Sequence, residues 1–224
     1  MSEEVWLSSD SPNALLNLIR PWTRYSRRLQ LYVCAWYRNF WHRLNEPSRI
    51  LIECCELAAA NFADEGQIRA AKKAVRSRAR QEPNEYGEDG PAHVGLSLLS
   101  QLSLKHLPGW EGMPPPIISF QGTEAQSNFF EPIRQKYTRV QLDLLREIVG
   151  NPFKQTGFDS SWCDSQVTDL SRCIYLDRRF DQLPILAEEL HRVGCENIEV
   201  LSHLRVRDGH VRGCWALDLA MGWA

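Results

Sequence analysis

The chain of 224 residues has no apolar run of roughly 18 residues, so no helix is expected to cross a bilayer and no membrane partner is expected. Its opening, MSEEVWLSSD, is acidic and lacks the basic region and apolar core of a secretory leader, and a cytoplasmic location is the expectation. Apolar residues almost never alternate with period two, which argues against sheet. There is no glycine-rich phosphate loop, no HExxH pair and no other catalytic signature. An enzyme is therefore the lesser expectation, and no catalytic or cofactor-binding residue is assigned. Cysteine is present but unframed: Cys34, Cys54, Cys55, Cys163, Cys173, Cys195 and Cys214 are odd in number and scattered, the pattern of reduced thiols rather than of a disulfide scaffold.

What is present is core material. Apolar residues make up 43% of the chain, with eight Trp and eight Phe, and the charged fraction of 24% is ordinary for a globular protein. The net charge of −2 hides a split: residues through Glu82 carry 13 basic and 9 acidic side chains, the remainder 13 and 19. That permits an acidic partner for the first part without making a dedicated nucleic-acid binder.

The periodicity is helical almost throughout. Ser11-Pro12 opens a short helix that Pro21 ends. Apolar residues recur at three and four from Ser26 to Leu44, and a third helix starts at Pro47. A fourth helix, Glu65 to Gln81, is basic on its face. EPNEYGEDGP reads as a loop, PAHVGLSLLSQLSLKHL as a helix, and PGWEGMPPPIISFQG as an irregular, proline-rich stretch. Helical spacing returns from Thr123 to Val149, with Pro132 a kink or restart and Gly150-Asn151-Pro152 a stop. It continues over Cys163 to Tyr175, Asp181 to Val193, Asn197 to Leu204 and His210 to Met221. The expected fold is an all-α bundle of roughly eight to ten helices with a proline-rich irregular central connection. The expected regions are 1–82, 83–122 and 123–224.

Candidate sites follow from residue type. Cys195, His203, His210 and Cys214 supply the donor set of a structural zinc site, although seven, six and three residues intervene where knuckles use fewer. Buried structural cysteines and a histidine at a helix end are the plainer account. Zinc is the one cofactor entertained. Cys214, His210 and Asp218, one turn apart on a terminal helix, make an awkward linear triad. Arg69, Lys72, Lys73, Arg76, Arg78 and Arg80 on the fourth helix suit a nucleic acid, against the alternative of a solvated face. Trp36, Tyr37, Phe40 and Trp41 are more aromatics than one helix face usually buries, and with Arg212 and Asp218 on a polar edge they suit a protein partner. A core helix is the alternative.

Four stretches, WLSSDSPNALLNLIR, RRLQLYVCAWYRNFWHRL, LLREIVGNPF and the run from CIYLDRRF through HVRGCWALDLAMG, resemble a family of paralogous proteins from large-genome bacteria. In that family similar ends recur behind varied middles. The likeness spans most of the chain outside about residues 83 to 120, and HVRGCWALDL is its most specific part. Family members are often richer in cysteine where this chain has Cys34-Ala35-Trp36-Tyr37. The family has no assigned activity, so the resemblance implies no catalytic residue; a reused ending implies a structural cap or a docking module. The sequence thus favours a helical interaction or adaptor protein, with a nucleic-acid accessory factor and a zinc protein as alternatives.

Overall fold

A computed structural model describes residues 2–19, 26–81, 124–154 and 156–223. The expected acidic loop, the helix of 91–107 and the proline-rich connection all lie outside the described residues. Among the described residues there are ten α-helices and no strand, so the all-α expectation holds. In chain order they are α1 Glu3–Ser8, α2 Pro12–Ile19, α3 Ser26–Arg38, α4 Glu46–Ala58 and α5 Glu65–Gln81. They continue as α6 Glu124–Val149, α7 Ser165–Asp177, α8 Leu183–Arg192, α9 Ile198–Arg205 and α10 Trp215–Ala220.

Local chemistry sets many of the boundaries. Asn45 caps α4 by accepting from Ser48 N at 3.1 Å, with Pro47 in the first turn where its missing N–H costs nothing. Asp164 caps α7 through Val167 N at 2.8 Å, and Asn197 caps α9 through Glu199 N and Val200 N. α6 runs unbroken through Pro132. Two expectations need correction. The aromatic helix stops at Arg38 and passes into a 3-10 turn at Trp41–Arg43. The terminal helix starts at Trp215 rather than His210, because Gly213 sits at φ 94°, which turns the chain and which a side chain would resist.

The chain forms two compact units, and neither follows the boundaries expected from composition. The first unites Met1–Arg28 with Leu142–Ala224. Its middle is a helical stack in which α8 packs on α7 and α9, and α10 on α7 and α9. Leu186, Leu190, Val200, Leu204 and Leu217 are fully buried there. Arg146 of α6 holds the N-terminal segment by donating to the carbonyl oxygens of Trp6, Leu7 and Ser9, the last at 2.9 Å. The second unit is Leu29–Gln141. In it α4 packs on α5, and Leu51 and Cys55 of the one helix and Ala71 and Val75 of the other are buried. Trp36, Phe40 and Tyr137 form an aromatic cluster with ring centroids 5.3–5.8 Å apart.

Candidate metal centre

Within the first unit, Glu147 of α6, His203 in the last turn of α9, and His210 and Cys214 on the link to α10 converge. One ligand atom from each lies within 4.8 Å of every other. His210 Nδ1 is 2.9 Å from Glu147 Oε1, and His203 Nε2 is 3.1 Å from Glu147 Oε2 and 3.3 Å from Cys214 Sγ. The two imidazoles meet edge to face at 5.1 Å, and the Trp215 ring packs on His203 at 5.0 Å. His210 and Cys214 are buried, while His203 and Glu147 keep a partly open edge.

The site's geometry comes from its elements. The Asn197 cap starts α9, whose Val200, Leu201 and Leu204 face the core and set the rotation that turns His203 inward. The turn at Gly213 brings Cys214 back beneath it; Cys214 N donates to Val211 O at 3.0 Å. His210 is fixed by its far nitrogen: Nε2–H donates to Val206 O at 2.9 Å, which leaves Nδ1 as the nitrogen facing the carboxylate. Nδ1–H donates to Glu147; once that proton is lost, His210 has the disposition usual in metal-bound histidines, one ring N–H on a carbonyl and the other nitrogen free to ligate.

The electrostatics are those of a cluster that holds protons where an ion would sit, and a metal would have to displace them. Burial works against the charge on His210, but the hydrogen bond and negative charge of Glu147 outweigh it, so the imidazole sits above its ordinary value. Burial likewise opposes ionisation of Glu147, and the two histidines outweigh it, holding the carboxyl below its usual range. The Cys214 thiol is pushed well above its ordinary range, first by burial and then by the charge of Glu147. A cysteine so placed is a poor nucleophile on its own, and it becomes a thiolate readily only beside a cation. Four donors of this kind can hold a metal ion.

The sequence pointed to three of the four donors. Cys195 does not join them: it is buried at the end of α8, where its N–H donates to Leu190 O at 2.9 Å. Glu147 takes its place. No spacing rule could have found it, because the donor comes from a different helix far upstream, and nothing in the LLREIVGNPF stretch marks its glutamate as a ligand. The expected ladder of Cys214, His210 and Asp218 along one helix is also corrected, since only Asp218 lies in α10.

The residues expected to form a partner face are mostly inside. Trp36 is 2% exposed and Tyr37 fully buried. Trp41 is partly covered, with the guanidinium of Arg38 at 4.4 Å and that of Arg49 at 5.6 Å from its ring. Arg212 is buried, and it serves the end of α7: its Nε donates to Tyr175 O at 2.8 Å and its Nη2 to Leu176 O at 2.5 Å, satisfying carbonyls that the helix leaves open. Asp218 is fully buried in a two-pronged contact with Arg27, its Oδ1 3.1 Å from Nη2. The basic helix α5 is as expected: Arg69, Lys73, Arg76, Arg78 and Arg80 are exposed and Lys72 is half-buried. All seven cysteines are thiols. Comparison with protein-family models, with curated proteins and with solved structures gives no match to this chain.

Proposed function

We propose that the protein is a metal-binding helical module in which Glu147, His203, His210 and Cys214 hold one zinc ion that braces the first unit. The observation that carries this reading is the convergence of four donors of mixed type from three separate parts of the fold. A tetrahedral zinc site with ligand bonds of about 2.0–2.3 Å places its donors about 3.3–3.8 Å apart. The contacts of 2.9, 3.1 and 3.3 Å are already near that spacing. The charges support it too. A divalent cation balanced by one carboxylate and one thiolate, with two neutral imidazoles, is neutral overall, the condition under which a part-buried ion site costs least. Four protein donors close the shell, the arrangement of structural rather than catalytic zinc. The ion would tie the end of α6, the end of α9 and the start of α10 together. A docking role toward another protein would use residues other than the buried Trp36, Tyr37, Arg212 and Asp218.

The test is metal content by mass spectrometry on protein purified without a metal-affinity tag, together with thiol titration before and after a chelator. One zinc per chain is expected. Cys195→Ser should retain it, whereas Cys214→Ser and Glu147→Gln should lose it or bind at least about tenfold more weakly. Cobalt loaded in place of zinc should show a thiolate-to-metal absorption band that Cys214→Ser abolishes. Protein that folds without stoichiometric metal, and takes up none when zinc is added, would sink the proposal.

A further inference from the structure

A cleft of about 860 Å³ opens in the first unit between the α6–α7 connection and the chain's last turns, and its size is that of a small-molecule site. Its lining holds three cations, Arg27, Arg28 and Lys154, and no carboxylate among the described residues. The acids that meet these cations lie elsewhere: Asp218 is fully buried beneath Arg27, and Glu199, ion-paired with Lys154, is not part of the lining. The remaining walls mix small, polar and apolar residues with four aromatic ones, Phe153, Phe158, Trp215 and Trp223.

Those aromatic walls are held in place by partners of their own. Trp223 packs edge to face with Tyr175 at 5.3 Å and lies under the Arg27 guanidinium at 4.8 Å. Phe158 packs edge to face on Trp162 at 5.2 Å. Trp215 is seated against Gly150, where φ is 69° and a Cβ would come within 2.9 Å of the indole. Arg28 is anchored by donating to Val149 O at 3.2 Å. A cleft with fixed ring faces and a positive rim binds without first ordering its side chains, which keeps the cost of association down.

We infer that this cleft is a binding site for a small aromatic anion, a flat apolar body seated between Trp215, Trp223 and Phe158 with its carboxylate toward Arg28 and Lys154. Flat rings gain from offset and edge contacts with the indoles beyond their buried area. A charged hydrogen bond to a guanidinium then separates an anion from its neutral isostere. The inference does not depend on the metal: Trp215 touches both sites, but the cleft's cations and rings are not zinc donors.

The probe is 1-naphthoate, titrated calorimetrically into the full chain, with 1-naphthalenemethanol as the neutral isostere and inorganic phosphate as the bare anion. Saturable binding of naphthoate at one site is expected, about tenfold or more tighter than either control. Arg28→Gln should weaken naphthoate by about tenfold. Because Arg28 also holds Val149, the exposed Ser160 supplies a second variant: Ser160→Glu places a carboxylate in the lining and should weaken naphthoate while leaving the alcohol unchanged. Absence of saturable naphthoate binding at about 1 mM overturns the site. So does naphthoate binding that is no tighter than the alcohol's, or that Ser160→Glu leaves intact. Running the titration on both zinc-loaded and chelator-treated protein separates a failure of this site from a failure of the metal reading.

Discussion

Burying a carboxylate is costly unless a cation goes with it, and the chain does this at Glu56 in the second unit as well as at Asp218 in the first. Glu56 is 2% exposed and accepts from Arg38 through both oxygens, at 2.6 and 2.7 Å. Removing one partner strands the other charge, whereas replacing both with apolar side chains removes the problem. Arg38→Met should therefore destabilise the protein by about 3–5 kcal/mol, and the double variant Arg38→Met, Glu56→Met by much less. A urea denaturation cycle on the parent protein, Arg38→Met, Glu56→Met and the double variant checks it; a double variant as unstable as Arg38→Met would show that the pair matters for packing rather than charge. Residues of this kind are where the sequence misleads. Arg212 and Asp218 read as a polar edge because charged residues usually face water. Each is inside, because a helix end or an arginine from elsewhere in the chain meets it, and neither partner is visible in local spacing.

Elements were far more legible than residues. Glu65–Gln81 agrees with its expected limits, and α4, α6, α8 and α9 lie within a few residues of theirs, because apolar spacing, caps and prolines act over one or two turns. The failures came where backbone geometry overrides a helical pattern: HVRGCWALDL has helical spacing, yet Gly213 breaks it and leaves six residues in α10. The candidate metal donors were only partly legible, since His203, His210 and Cys214 were picked by type and Glu147 arrives through tertiary packing. The cap at α7 gives a prediction with a definite sign. Hydrogen bonds from the Val167 and Gln166 backbone N–H groups, reinforced by Arg192, hold the Asp164 carboxyl below its ordinary value of 3.8, against a smaller opposing effect of burial. Its folded value is lower than its unfolded one, so its stabilising contribution is complete above pH 3.8 and disappears as pH falls through the folded value. Asp164→Asn keeps the capping oxygen and removes the titration. The variant should lose less stability than the parent protein on acidification over that window, measured by urea unfolding at successive pH values; parallel acid limbs would show that Asp164 does not contribute to them.

At the scale of the whole molecule, the first unit is assembled from the two ends of the chain, which neither composition nor the expected boundaries anticipated. The dependence is specific. Arg146 in the C-terminal segment donates to three carbonyls of the N-terminal one, and Asp218 has Arg27 as its cation. Without residues 1–28, a fully buried carboxylate loses its charge partner, at a cost of several kcal/mol, comparable with the entire stability of a domain of this size. A fragment of residues 142–224 should accordingly be unfolded or molten by amide NMR, and a peptide of residues 1–28 added in trans should restore dispersed resonances. Asp218→Asn in the same fragment removes the stranded charge and should recover part of the fold without the peptide. A fragment that is fully folded alone, with Asp218 intact, would mean that the N-terminal segment only covers a unit that the remaining helices already hold together.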